Sequence, residues 1–159
     1  MYLVGIVSSN KKIIDVLKKK FDNKKVNFID LESSIIENFK NIKFDIILIS
    51  NLEKNKKKHV LKRVLTNSCI CVINTDIKEN SQILDDLKGT VITYGFNPKA
   101  TITISSVNDN NILICIQRNI EKVNNKKIAP IEYGENIENM KDIEISDVIG
   151  VKTVEILLP

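Results

Sequence analysis

Short apolar runs and segments with helically spaced apolar residues take turns along the first half of the chain. Tyr2 to Ser8 (YLVGIVS) is a continuous apolar run closed by small polar residues, as in a parallel strand buried on both faces. Ile13, Ile14, Val16, Leu17 and Phe21 then recur at helical spacing. Lys18, Lys19 and Lys20 lie toward the end of that helix, where its dipole favours positive charge. The pattern continues with a strand at Val26 to Leu31, a helix at Ser33 to Asn41 and a strand at Phe44 to Ser50 (FDIILIS). It goes on through a helix at Lys57 to Leu65, a strand at Cys69 to Asn74, a helix at Ser81 to Lys88 and a strand at Val91 to Tyr94. Repeated strand–helix–strand units predict a mainly parallel sheet, helices on both faces and right-handed crossovers.

The second half changes period. Thr101 to Val107 (TITISSV) and Ile112 to Gln117 (ILICIQ) flank Asn108-Asp109-Asn110-Asn111, residue types that tolerate the backbone of tight turns, so an antiparallel hairpin is expected. Asn124 to Lys127 reads as loop and Lys127 to Tyr133 as another short strand. Ile137 to Ile149 is ambiguous: Ile137, Met140 and Ile143 have helical spacing, while Ile143 and Ile145 alternate as in a strand. Val154 to Leu158 reads as a closing strand. The expected fold class is α/β: a three-layer, Rossmann-like, mainly parallel sheet with a C-terminal antiparallel hairpin. No linker or repeat divides the chain, so residues 1–159 are read as one domain.

Composition narrows the class without naming an activity. The 159 residues are 43% hydrophobic and 28% charged, ordinary values for a compact domain. No apolar run approaches the ~20 residues that span a bilayer, and Met1 to Ser8 is too short for a signal peptide; together these predict a cytoplasmic protein without a membrane partner. The net charge is +4, but all 24 basic residues are Lys except Arg63 and Arg118. Base and phosphate readers favour Arg for bidentate contacts, so the balance argues against a nucleic-acid partner. Cys69, Cys71 and Cys115 sit in apolar stretches without a CxxC pair and read as reduced core thiols.

Parallel α/β sheets bind ligands at strand carboxyl ends, where loops lead into helix N-termini. The first such loop is Ser8-Ser9-Asn10-Lys11-Lys12-Ile13. It lacks the glycines that let a backbone wrap a phosphate, and Ile13 stands where a hydroxyl would hold Mg²⁺. Asp30 ends the second strand, near where a dinucleotide fold places a ribose-binding carboxylate, but no GxGxxG loop precedes it. A receiver domain would end its third strand in Asp; Ser50 and Asn51 stand there. His59, the single histidine, follows Lys56, Lys57 and Lys58 and reads as a solvated helix-start residue. The basic run Lys54 to Lys58 has no interleaved aromatics and reads as a solvated face.

Three segments carry a family resemblance. They are Val72-Ile73-Asn74-Thr75-Asp76, Val91-Ile92-Thr93-Tyr94-Gly95-Phe96, and Ala100-Thr101-Ile102-Thr103 with Ser105-Ser106-Val107. Together they resemble the later part of the central, ATP-binding domain of the Mur ligases, which add amino acids to peptidoglycan precursors and include the folylpolyglutamate synthases. Gly134-Glu135-Asn136-Ile137-Glu138-Asn139 also resembles the family's Gly-x-His-Asn-x-x-Asn segment, one residue short. The likeness covers residues 67–140 best. Laid on the first loop, the family's Gly-Thr-Asn-Gly-Lys-Thr matches at Asn10 and Lys12 and departs at Ser8, Lys11 and Ile13.

By this resemblance Asn10 and Lys12 would approach a nucleotide's phosphates and Asn74 its base. Acyl-phosphate chemistry needs Mg²⁺ held by a loop hydroxyl and carboxylates, and a substrate carboxylate brought in line. The family's substrate domain and final domain have no counterpart within these residues. The expectation is therefore a non-catalytic binding or scaffold module with a degenerate phosphate loop, no cofactor, no catalytic residue and no metal ligand, working with a protein partner or as a homo-oligomer and related to the cell wall. The alternatives are a ligase-type enzyme using ATP and Mg with a partner chain, and a receiver-like regulatory domain.

Overall fold

The computed structural model describes residues 1–22, 24–32, 36–39, 41–52, 58–65, 69–85, 87 and 89–159, with backbone alone at 36–37 and 58–60. The basic run at 54–57 and the His59 side chain therefore lie outside the described residues. Ten strands are seen among the described residues: β1 (Tyr2–Val7), β2 (Val26–Asp30), β3 (Ile46–Ile49), β4 (Ile70–Asn74), β5 (Thr90–Tyr94), β6 (Ile102–Val107), β7 (Asn111–Ile116), β8 (Ile120–Glu121), β9 (Lys127–Ile128) and β10 (Ile131–Asn136). The helices are α1 (Lys12–Lys20), α2 (Lys58–Val64), α3 (Lys78–Ser81) and α4 (Ile145–Leu157), with 3₁₀ turns at Ile36–Phe39 and Glu138–Met140.

Eight strands form one sheet in the order β10-β7-β6-β5-β4-β3-β1-β2, and β8 and β9 make a separate antiparallel pair. Strands β1 to β6 pair in parallel, although β5 and β6 meet only at Tyr94 and Ile102. The β6–β7 and β7–β10 pairs are antiparallel. The architecture is thus the expected α/β class.

Side-chain alternation along the strands divides the core in two, as a sheet covered on both faces requires. Val4, Ile6, Ile46, Leu48, Val72, Ile92 and Tyr94 join residues of α1 and α4 on one face. Val7, Ile47, Ile49, Cys71 and Ile73 join Leu61 and Val64 of α2 on the other. Helix α4 packs across β3, β4, β5 and β6 beside α1, with nine of its thirteen residues buried, Asp147 and Lys152 among them. Among the described residues no helix is long and apolar enough to cross a membrane.

Several boundaries differ from the sequence reading. Val154 to Leu158 is not a strand: residues through Leu157 complete α4. A helix buried on nearly every side carries no polar stripe, so its Val and Ile residues read as a β run. The ambiguous Ile137 to Ile149 stretch resolves into the 3₁₀ turn and the start of α4. The strand expected at Lys127 to Tyr133 is two strands separated at Ala129 and Pro130; Pro130 has no N–H for a ladder. The helix expected at Ser81 to Lys88 instead occupies Lys78–Ser81, with turns through Asp85. At Ser33 to Asn41 the described part is the 3₁₀ turn at Ile36–Phe39.

Candidate functional site

In the order β2-β1-β3-β4-β5 the chain leaves β1 for β2 on one side and places β3 on the other, so the topological switch lies between β1 and β3. A crevice at the carboxyl ends of the two strands is the expected ligand position. A cleft of about 320 Å³ occurs there. It is lined by Ser8, Ser9 and Asn10 after β1, Ser50 and Asn51 after β3, Asn74 and Ile77 at and after β4, and Glu144, Ser146 and Asp147 at the start of α4.

The cleft is braced by carboxamides. Asn80 is fully buried; its Nδ2 donates to the carbonyls of Ser50 and Asn74, each at 2.9 Å, and its Oδ1 accepts the Leu52 N–H at 2.9 Å. One side chain thereby fixes the ends of β3 and β4 relative to each other. The Asn74 Oδ1 accepts the Asp76 N–H at 2.9 Å, leaving Nδ2 as the group Asn74 can offer to the cleft.

Asp147 closes the centre. Its carboxylate is buried and accepts the Ser50 hydroxyl at 2.6 Å and the Asn10 Nδ2 at 2.9 Å. It also stands in the first turn of α4, where the helix dipole favours an anion. Glu144 and Asp147 are the charged residues lining the cleft; no Lys, Arg or His does so among the described residues.

The turn after β1 keeps its hydrogen bonds to itself. The Asn10 N–H donates to Ser8 Oγ at 3.0 Å, and Asn10 Oδ1 accepts the Lys12 N–H at 3.2 Å. The Ile13 and Ile14 N–H groups donate to the carbonyls of Asn10 and Lys11 at 3.3 and 3.1 Å. These first-turn donors would otherwise receive a phosphate. Ile13 is fully buried in the core against the α4 side of the sheet, and the Lys12 Nζ lies 3.4 Å from the Asp142 carbonyl rather than in the cleft wall. Four N–H groups of this turn, those of Asn10, Lys12, Ile13 and Ile14, are thus occupied, the position that would carry a metal-binding hydroxyl by the resemblance is a core isoleucine, and the charged residues of the cleft lining are acidic.

Of the three residues singled out from the sequence, Asn10 and Asn74 meet in this cleft and Lys12 stands beside it. Asp147, which ties the cleft together, was hidden in the ambiguous 137–149 stretch. Asp30 receives the Glu32 N–H at 2.9 Å, a local turn contact.

The resemblance-bearing segments also meet in space. The Thr75 N–H donates to the Tyr94 carbonyl at 3.0 Å, and the Asp76 carboxylate accepts the N–H groups of Phe96 and Asn97 at 2.7 and 2.9 Å. Gly95 has φ +142°, and a Cβ there would come within 2.5 Å of Asp76 Oδ2, so both conformation and space call for glycine. Tyr94 is fully buried, its hydroxyl makes no well-formed hydrogen bond among the described residues although Ser50 lies near it, and burial pushes its phenol well above the ordinary value. Burial likewise pushes the Cys69 and Cys71 thiols up to about 12, which keeps them protonated and unreactive at neutral pH. No protein-family model matches the chain, and no curated protein matches it.

Proposed function

We propose that this chain is a binding or scaffold domain on the plan of the Mur ligase central domain, without ligase activity. In this reading it works in the cytoplasm with a protein partner or a second copy of itself, in a role related to the cell wall. The single observation that carries the reading is the turn after β1 bonded largely to itself, where Asn10 Oδ1 accepts the Lys12 N–H and Asn10 Nδ2 is itself held by Asp147. A triphosphate approaching that turn meets Lys12, Ile13 and Ile14 N–H groups that are already bonded and faces the carboxylates of Glu144 and Asp147. The contacts between the Asn74-Thr75-Asp76 and Tyr94-Gly95-Phe96 segments support the family side of the reading, since the two stretches that carry the likeness form one unit.

Isothermal titration calorimetry with Mg-ATP tests it. The expected result is no heat beyond dilution. Mg-dependent binding that Lys12→Ala weakens would overturn the reading in favour of an ATP-dependent enzyme completed by a partner. The 2-1-3-4-5 order of the first five strands also fits a receiver-like regulatory domain. Acetyl phosphate modifying an aspartate of the intact chain would favour that second reading.

A further inference from the structure

Beside α1, away from the cleft, lies a second cavity of about 350 Å³. Lys19 and Lys20 come from α1, Asn136 from the end of β10, Asn139 from the 3₁₀ turn, and Lys152 from α4; Val16 and Met140 add apolar surface. No carboxylate lines it among the described residues.

Lys152 is the built part of this wall. Its side chain is 3% exposed, with Nζ 2.8 Å from Glu135 Oε2 and 3.3 Å from Glu155 Oε2. An ammonium has three N–H donors; one is given to Glu135, Glu155 stands at ion-pair distance, and a donor is left for a ligand. Burial works against the charge on Lys152, but Glu135, Glu155 and their neighbours outweigh it and hold its pKa above the ordinary lysine value. Lys20 joins the same group through Glu155 at 2.6 Å. Lys19 has no ion partner among the described residues, so three ammonium groups stand against two carboxylates and one positive charge is left over.

The neutral donors point the same way. Asn136 Oδ1 accepts the Glu138 N–H at 3.0 Å, which leaves Nδ2 to donate. The Asn136 backbone is available too. The Ile137 N–H bonds the Asn110 carbonyl at 2.7 Å while Asn136 stands opposite Asn111, so the ladder to β7 uses the odd-numbered residues of this stretch and turns the Asn136 N–H outward.

We propose that this cavity binds a small monocarboxylate with a short apolar body, its carboxylate between Lys19, Lys152 and Asn136 and its hydrocarbon against Val16 and Met140. One uncompensated charge matches a monoanion, while a phosphate dianion would reverse the balance. The site uses neither the turn after β1 nor Asn74, and although Asn136 and Asn139 belong to the Gly134 to Asn139 segment that shares in the resemblance, carboxylate binding here and Mg-ATP binding at the cleft succeed or fail separately.

The chain has two methionines, Met1 and Met140, and only Met140 lines the cavity. NMR of the intact chain labelled with ¹³C at the methionine methyls therefore gives one reporter and one internal control. Titration with 4-methylpentanoate is expected to move the Met140 resonance saturably and leave Met1 unmoved. The amide of the same acid and inorganic phosphate are expected to bind about tenfold more weakly, and Lys19→Ala to weaken the carboxylate by about fivefold. Lys19 is exposed, so the variant keeps the fold, and an unshifted Met140 resonance in its free form checks this. The proposal is overturned by a Met140 resonance that stays still at tens of millimolar carboxylate, by an equal response to amide or phosphate, or by an unchanged affinity in Lys19→Ala.

Discussion

The cleft above the β1/β3 switch and the cavity beside α1 are similar in size and opposite in charge. Among the described residues the first has Asp147 and Glu144 and no cation; the second has Lys19, Lys20 and Lys152 and no carboxylate. The first sits where doubly wound sheets bind their ligands, yet Asn10 and Ser50 spend their side-chain donors on Asp147 and leave Asn74 Nδ2 as the carboxamide donor still open. The second has no privileged place in the topology, yet its buried ammonium is held in position by acids behind it. Topology therefore supplies a crevice, and local pairing decides whether anything is left to bind with.

The strongest way to break this contrast is Lys152→Met. Removing one partner of a buried charge group leaves the Glu155 carboxylate, 11% exposed, without its Lys152 contact. The expected cost is about 3 kcal/mol, at the lower end of the range because Glu135 is 36% exposed. Urea unfolding measures it; a loss below about 1 kcal/mol would reduce Lys152 to a surface-like pair.

Asp147→Asn tests the other side. The variant should lose about 1–2 kcal/mol, because charge-assisted bonds from Ser50 and Asn10 become weaker or mismatched. Mg-ATP should still give no heat, because Asn10 continues to cap α1. Binding in this variant would mean that charge alone had closed the cleft.

Alkaline titration sharpens the contrast further. A lysine whose folded pKa is raised adds stability that is complete below the ordinary value of 10.5 and is lost as pH climbs through the folded value. Unfolding free energy of the native sequence should therefore fall more steeply above pH 10.5 than that of Lys152→Met. Parallel curves would remove Lys152 as the source.

The smallest effect is expected beneath the cleft. Tyr94→Phe deletes a buried hydroxyl that has no well-formed hydrogen bond among the described residues and should be neutral or stabilising by about 0.5 kcal/mol. A Cβ at Gly150 would stand 2.7 Å from that hydroxyl, so Gly150→Ala should cost about 1–2 kcal/mol alone and less with Tyr94→Phe. Additive effects in that double-mutant cycle would show that the hydroxyl does not set the spacing of α4.

The strands of the parallel half were legible because runs such as Ile46–Ile49 are buried on both faces and carry no polar alternation to confuse the reading. Helix α4 was illegible for a related reason: sequence period reports a boundary between core and water, and α4 has little of one. Asn10 and Asn74 could be singled out because they fall in short segments that carry the family resemblance at or just after strand ends. Asp147 and Lys152 could not, since their roles depend on α4 and on partners as distant in sequence as Asn10 and Ser50. The α1 cavity is non-local in the same way: its walls come from α1, β10, the 3₁₀ turn and α4.

Helix α4 follows every strand in chain order and covers β3 through β6. During synthesis one flank of those strands has no α4 to cover it until Leu157 has been made. A nascent chain stopped before Ile145 would offer Leu48, Val72 and Ile92 to chaperones or to its neighbours, and the synthesis of α4 would decide whether these strands become a folded unit or an aggregate.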